Sequence, residues 1–142
     1  MRSRNSLITK YLESDYFMNH YRFKNTIPVL RIFDEDKARE FYFDFLGFSL
    51  DWEHRYEEDF PIYMQVSLGE CSLHLSEHHG DSSPGIKVRI HVEGIEAYHQ
   101  FLAEKKYKYA RPGLEEAHGF KEVRVGDPFG NEFCFVERIE SL

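Results

Sequence analysis

The run LHLSEHHG, residues 73–80, holds three of the eight histidines of the chain together with one glutamate. Imidazole nitrogens and carboxylate oxygens are common ligands of divalent metals, so this local density is what a metal site would produce. The same residues would also suit a binding pocket, or an ordinary strand followed by an exposed turn. These interpretations differ in the direction that each side chain takes, which depends on the surrounding elements.

Apolar and polar side chains alternate over residues 71–77, and this alternation predicts a strand that ends in a loop of turn-forming residues. His74 then points to one face of the strand, and Glu77 points to the other. His78 and His79 fall in the loop, where exposure is predicted. Of the three histidines, only His74 is therefore predicted to take part in binding.

The composition is that of one folded domain, with 142 residues that are 42% hydrophobic and 16% aromatic. A net charge of -7 disfavours nucleic acid and anionic membranes as partners. No apolar run approaches the roughly 20 residues that span a bilayer, and the N-terminal residues lack a signal-peptide core. Two cysteines predict a reduced protein without a disulfide framework. We therefore expect a cytoplasmic protein that binds neither nucleic acid nor membrane.

The order strand, helix, strands occurs twice along the chain. In the first copy, residues 27–33 predict a strand, Asp34 is placed as an N-cap, and an amphipathic helix ends at Gly47. In the second copy, residues 86–92 predict a strand and residues 94–107 predict a helix. The later strands are predicted from the segments FSLDWEHRY, PIYMQVSL, CSLHLSE, FKEVRV and NEFCFVERI.

This repeat predicts a domain over residues 25–138, with modules of about 25–79 and 86–138. Each half is too small to close a core alone, so the two modules are expected to pack together. Residues 1–24 show no clear alternation and are interpreted as an N-terminal appendage. Within the appendage, ITKYLESDYF is compatible with a short helix.

Two longer motifs are more specific. They are PVLRIFDEDKAREFYFDFLGF at residues 28–48 and VGDPFGNEFCFVE at residues 125–137. With them the chain resembles the vicinal oxygen chelate superfamily, also called the glyoxalase/bleomycin resistance/dioxygenase fold. The resemblance implies an α+β fold in which two βαβββ modules form a cup-shaped, half-open mixed sheet with the helices on its outer face. It does not fix the activity, because this fold hosts lyases, dioxygenases, transferases and binding proteins.

The resemblance also implies four positions for a divalent metal, one on each of four strands. In this chain they are Ile27, His74, Lys87 and Cys134. Isoleucine offers no donor atom, and a lysine ammonium must lose its proton before it can ligate a metal. The remaining histidine and cysteine fall short of both an oxygen-rich octahedral site and a tetrahedral zinc site. The sequence therefore predicts no catalytic metal and no cofactor.

Strand alternation further predicts which side chains line the inside of the cup, since the apolar residues fall consistently on the helix side. The remaining side chains, with Trp52 as a stacking surface for a ligand or a dimer seam, form the predicted ligand-binding set. That set comprises Arg31, Trp52, Tyr63, Gln65, His74, Lys87, Arg89, His91 and Cys134. Such a lining suits a polar ligand that is anionic or rich in hydrogen-bonding groups.

Other roles for these residues remain open. Arg31 and Arg89 could pair with an acidic neighbour such as Glu132 in a purely structural ion pair. His74 and Cys134 could form a thiolate–imidazole pair if their strands adjoin. No residue is assigned a catalytic role.

Among members of the superfamily, the chain resembles bleomycin resistance proteins most. This implies a homodimer that sequesters a small molecule, such as an antibiotic, in clefts shared between the subunits. The acidic net charge agrees with a cationic drug, whereas the predicted cup lining is basic. The alternative is a glyoxalase-like lyase or an antibiotic-modifying metalloenzyme with a non-standard metal site. A ligand-sensing or structural dimer is a third possibility.

Overall fold

The strand–helix–strands order recurs in the computed structural model, which describes residues 20–140. The first module contains β1 (Val29–Arg31), α1 (Glu35–Arg39), a π-helical segment (Glu40–Phe45), β2 (Ser49–His54), β3 (Tyr63–Leu68) and β4 (Cys71–Ser76). The second contains β5 (Lys87–His91), α2 (Ile95–Glu104), β6 (Leu114–Ala117), β7 (Phe120–Gly126) and β8 (Glu132–Arg138). The predicted α+β fold of two βαβββ modules is confirmed. The helix suggested within ITKYLESDYF lies outside the described residues, and the appendage boundary stays a prediction.

Each module forms its own four-stranded mixed sheet, in the orders β1-β4-β3-β2 and β5-β8-β7-β6. In both sheets the first strand pairs in parallel with the last, and the other pairs are antiparallel. The register places Val29 opposite His74 and Arg89 opposite Cys134. Strands β2 and β6 each form one edge of their sheet, and β1 and β5 form the opposite edges.

The first helix begins where the sequence predicts. The Asp34 carboxylate accepts a hydrogen bond from the Lys37 amide at 2.9 Å, which satisfies one of the free donors of the first turn. The second half departs from the predicted α-helix, because it widens into a π-helical turn in which the Leu46 amide donates to the Phe41 carbonyl. Gly47 then ends the helix at φ +92°, a conformation that glycine adopts without a Cβ clash.

The second helix is capped from a distance. Its N-cap, Gly94, has no side chain to offer, and the Glu137 carboxylate on β8 accepts hydrogen bonds from the Gly94 and Ile95 amides at 3.0 and 3.1 Å. These two bonds stabilise the carboxylate and lower the pKa of Glu137. In the second module, a contact between residues far apart in the sequence therefore takes the place of the local side-chain cap seen in the first module.

A single apolar core joins the two modules on the helix side of both sheets. The Tyr42 ring packs edge-on against Phe133 at 5.8 Å between centroids, and Tyr98 packs against Phe135 at 5.1 Å. The helices therefore cover one side of the sheets, as predicted, and leave the other side for polar residues. No helix within residues 20–140 is long and apolar enough to cross a bilayer.

Candidate functional site

A row of hydrogen-bonded polar side chains crosses the first sheet on the side that faces away from the helices. The Tyr63 hydroxyl lies 2.6 Å from His74 Nδ1, and His74 Nε2 lies 3.0 Å from Gln65 Oε1. Gln65 Nε2 donates to Asp51 Oδ2 at 3.0 Å, and the Ser67 hydroxyl donates to the same oxygen. We call this side of the first sheet the first face. The residues that define it are Asp51, Trp52, Tyr63, Gln65, Ser67, Ser72 and His74.

Asp51 sets the direction of every hydrogen bond in this row. The bonds from Ser67 and Gln65 lower the pKa of the Asp51 carboxyl, so the group stays ionised and can only accept. The Gln65 amide nitrogen must therefore face Asp51, which turns its oxygen towards His74 and requires a proton on His74 Nε2. His74 Nδ1 then accepts from the Tyr63 hydroxyl. The row thus has one proton order, which contains a neutral imidazole.

A β-bulge brings the carboxylate to this face. Leu50 pairs with Val66 and Trp52 pairs with Gln65, so Asp51 is an extra residue with no partner of its own on β3. Both Asp51 and Trp52 consequently contact residues of the first face. Simple alternation places two consecutive residues on opposite faces, and for that reason the sequence identifies Trp52 but misses Asp51.

Trp52 provides an open aromatic surface beside this row. Its ring stacks on Tyr63 with 6.0 Å between centroids and 11° between planes, and it meets His74 edge-on at 5.3 Å. The residue remains 43% exposed. Stacked aromatic side chains with a free outer surface are suited to binding a flat ring.

The other polar side chains of LHLSEHHG point in different directions. Glu77 faces away from His74, and its carboxylate accepts a hydrogen bond from the Ile62 amide at 3.1 Å. His78 is half-buried, with its ring edge-on to Tyr56, and His79 is exposed. The structure therefore does not assemble this run into a cluster of ligands.

A second polar cluster lies on β5, β7 and β8, on the side of these strands that faces away from the core. Glu122 is 4% exposed and accepts hydrogen bonds from Arg89 Nη1 at 3.2 Å and Arg124 Nη2 at 3.0 Å. Burial alone would raise the pKa of the Glu122 carboxyl, but the bonds and charges of the two arginines outweigh it, and the pKa is lowered. Arg89 thus has an acidic partner, which is Glu122 rather than Glu132. In the β5–β8 register, Glu132 lies opposite Lys87 instead.

The other predicted binding residues are distributed around these two clusters. Lys87 is exposed at one end of β5, and His91 at the other end contacts Phe120 with 6.1 Å between ring centroids. Arg31 has no acidic partner within residues 20–140. Its guanidinium lies 4.6 Å from the Phe33 ring centroid and near the Ser76 carbonyl.

His74 and Cys134 do not adjoin, because β4 and β8 belong to different sheets. Burial raises the pKa of the Cys134 thiol, and the nearby Glu122 charge adds to this effect. Burial also lowers the pKa of His74. Both shifts oppose charge separation, so the geometry and the protonation states argue against a thiolate–imidazolium pair.

The residues at the four family metal positions do not fit a metal centre. Ile27 has no donor atom, and both ring nitrogens of His74 are engaged by Tyr63 and Gln65. Lys87 and Cys134 lie on the other sheet. Across residues 20–140, no group of three or more histidine, cysteine or acidic side chains is arranged to hold a metal ion. The absence of a metal and of a cofactor stays a prediction.

Comparison with solved structures identifies the same fold in binding proteins and in an enzyme relative. The chain matches the antibiotic binding protein TnmS3 from Streptomyces sp. CB03234 with a TM-score of 0.63 and 18% identity, over 83% of this chain and 99% of the other. A glyoxalase-related enzyme from Clostridium phytofermentans matches with a TM-score of 0.67 and 24% identity, over 85% and 99%. A bleomycin-binding protein complexed with bleomycin matches with a TM-score of 0.63 and 16% identity, over 82% and 99%.

At these identities the structural likeness shows the fold and not the ligand. No curated protein matches the sequence. The family model described as "Glyoxalase superfamily protein" matches residues 12–141, which is most of the chain. The chain belongs to the glyoxalase superfamily and has the glyoxalase/bleomycin resistance fold.

Proposed function

We propose that the protein binds a small molecule on the first face and sequesters it without making or breaking a bond, and without a catalytic metal. The observation that carries this proposal is the open Trp52 ring beside the ordered row that ends in ionised Asp51. A binding role is also supported by relatives of the same fold, which include the antibiotic binding protein and the bleomycin complex.

The first face favours a flat ligand that carries a positive charge or hydrogen-bond donors. The Trp52 ring offers stacking and cation–π contact, and the Asp51 carboxylate offers a charge-assisted acceptor. The charge of -7 on the whole chain favours the same class of ligand. The basic lining predicted from the sequence does not describe the polar row, whose formal charge is that of Asp51. Arg31 is the basic residue on the same side of this sheet, on β1 opposite Ser76.

We further propose that the protein is a cytoplasmic homodimer in which a second subunit completes the binding cleft. Trp52 lies on β2, an edge strand of the first sheet, and keeps much of its ring exposed. A stacking residue at an open edge gains enclosure when a second surface covers it, and small-molecule sites usually enclose most of their ligand. Sedimentation velocity with and without ligand measures this state.

The proposed site contains the single tryptophan of the chain, so its fluorescence reports on binding directly. Titration with bleomycin, followed by other flat cationic antibiotics, is expected to change the Trp52 emission in a saturable way. Asp51→Asn should weaken binding about tenfold, since it replaces a charge-assisted acceptor with a neutral amide. Asp44→Asn is the matched control, because Asp44 is an exposed carboxylate on the first helix.

Two results would contradict the proposal. The first is unchanged emission and an unchanged melting temperature across the whole ligand panel, as a purely structural dimer would show. The second is stoichiometric nickel, zinc, manganese or iron in protein purified without chelator, with the metal lost in His74→Ala. That outcome would instead support the glyoxalase-like or antibiotic-modifying enzyme.

A further inference from the structure

We propose that the side of the second sheet facing away from the helices, here the second face, is a separate anion-binding site. It would take the carboxylate or phosphate group of a small molecule. This site stands on contacts of its own and does not depend on the function proposed for the first face. The second face is defined by Lys87, Arg89, Phe120, Glu122, Arg124 and Arg138.

The centre of the second face is a buried carboxylate that holds two arginines in place. Glu122 is 4% exposed, and each of its oxygens accepts one hydrogen bond, Oε1 from Arg89 and Oε2 from Arg124. A guanidinium has five N–H donors, so each arginine keeps donors for another acceptor. The two side chains are 46% and 59% exposed. Glu122 therefore fixes two guanidiniums whose outer edges remain open to solvent.

An aromatic ring brings a third guanidinium to the same place. The Arg89 guanidinium carbon lies 4.9 Å from the Phe120 ring centroid, and that of Arg138 lies 5.3 Å from it. Stacking on a ring restricts the flexible arginine side chain and orients the guanidinium. Arg89 is thus held by both Glu122 and Phe120, which pre-organises it for an oxyanion.

The charges on this face leave a positive excess in a chain that is acidic overall. The face carries four cations, Lys87 and the three arginines, against three carboxylates. These are Glu122, Glu115 opposite it on β6, and Glu132 opposite Lys87 on β8. Guanidiniums that share one carboxylate still repel each other, and a bound anion would offset this repulsion. Planar, two-point contacts from arginine match carboxylate and phosphate oxygens.

A purely structural role explains these features less well. Burying the Glu122 carboxylate carries a desolvation cost, and an apolar residue of the same volume at such a position is often no less stable. Nor does stability call for the exposed outer edges of Arg89 and Arg124 or for the stacked Arg138. An anion-binding role uses the buried carboxylate, the open donors and the stacked ring together.

The test uses the full chain with 15N labelling and follows the arginine side-chain Nε–H signals by NMR. The probes are inorganic phosphate, phenyl phosphate and benzoate, with sodium chloride at equal ionic strength as the control. We expect saturable shifts of the Arg89 and Arg124 signals with the oxyanions and not with chloride. Preference for phenyl phosphate or for benzoate distinguishes a phosphate ligand from a carboxylate ligand.

Single substitutions test whether the oxyanion binds at the second face. Arg89→Gln and Arg124→Gln should each weaken binding about tenfold, from the loss of a charge-assisted hydrogen bond. Arg111→Gln, at an exposed arginine outside the face, should leave it unchanged. Arg138→Gln should also weaken binding. This variant removes no contact to Glu122, so it keeps the test decisive if the other two fail to fold.

The proposal is overturned if the shifts follow chloride equally, or if affinity is the same in wild type and Arg138→Gln. Trp52 fluorescence gives an independent reading. If no antibiotic changes the Trp52 emission but phosphate still shifts the arginine signals, the proposed function is refuted and the anion site is supported. If an antibiotic changes the Trp52 emission but no oxyanion shifts the arginine signals, the anion site is refuted and the proposed function is supported.

Discussion

At the scale of single residues, protonation and hydrogen bonding decide what the first face can offer a ligand. His74 lies at the centre of the polar row with both ring nitrogens engaged, one as acceptor from Tyr63 and one as donor to Gln65. A second ring proton would meet the Tyr63 hydroxyl, whose own proton would have to turn away. The row is therefore matched to a neutral imidazole, and burial favours the same state.

The neutral His74 should make stability depend on pH. Its folded-state pKa is lowered by burial, whereas in the unfolded chain it returns to its ordinary value of 6.5. As the pH falls through that value, the unfolded state takes up a proton that the folded state resists, so the free energy of unfolding falls. Urea denaturation of wild type and His74→Gln at about pH 7.5 and about pH 5.5 measures the effect.

We expect the variant to lose less stability than wild type over this pH interval. His118→Gln provides the control, because His118 is exposed in the turn between β6 and β7 and takes no part in the row. Equal losses in wild type and His74→Gln would show that the row does not depend on a neutral imidazole.

At the scale of elements, local irregularities position the functional side chains. The bulge in β2 brings Asp51 to the first face, and Glu137 on β8 caps α2 from across the second module. Gly47 is a third such feature, since it turns the chain sharply from the first helix into β2. At each of these places, regular strand or helix geometry would point the side chain or the backbone in a different direction.

Replacing Gly47 should destabilise the fold through both backbone and packing. An alanine there would have to adopt φ +92°, and its Cβ would lie 3.2 Å from the Phe101 ring. A left-handed conformation costs a non-glycine residue about 1–2 kcal/mol, so we expect at least that loss in the free energy of unfolding. Chemical denaturation of Gly47→Ala measures it.

Gly69→Ala provides a comparison at a positive φ without a packing conflict. Gly69 also has a positive φ, +58°, but no heavy atom lies within 4 Å of the position that its Cβ would take. This variant should therefore lose less stability than Gly47→Ala. A loss of equal size in both variants would rule out the contact with Phe101 as a factor.

At the scale of the whole molecule, one core and a few polar bridges join the two modules. The Tyr42 hydroxyl on the first helix donates to Asp127 Oδ2 at 2.6 Å, at the turn before β8. Burial and the Asp127 charge raise the pKa of Tyr42 well above its ordinary range, so the hydroxyl keeps its proton. The Asn131 side chain forms a second bridge, from the Asp127 turn to the Arg31 carbonyl at 3.0 Å.

Tyr42→Phe should weaken the junction between the modules without separating them. Removing the hydroxyl leaves Asp127 short of a buried donor, which costs about 1–3 kcal/mol in the free energy of unfolding. Unfolding should remain a single cooperative transition, because the apolar core is shared. Tyr109→Phe, at an exposed ring, should change little. Separate transitions for the two modules would contradict a shared core.

Much of the fold was predictable because it follows from the local periodicity of apolar and polar residues. Alternation along β4 separates His74 from Glu77, and residues 34–47 show where the first helix begins and ends. The repeated order of elements predicted two modules that share a core. These features depend on neighbours in the chain, so they are visible in the residues themselves.

What only the tertiary structure decided depends on contacts between distant residues. Strand β6, with two glutamates in four residues, has a weak pattern and forms by pairing with β7. The bulge that exposes Asp51, the choice of Glu122 as the partner of two arginines, and the cap from Glu137 arise in the same way. The sequence by itself determined the phase of β1, β3, β4, β5 and β8, and hence which of their side chains face away from the core. Strand pairing decided which of them meet, because register and bulges follow from the packing of the whole sheet and leave no periodic signal.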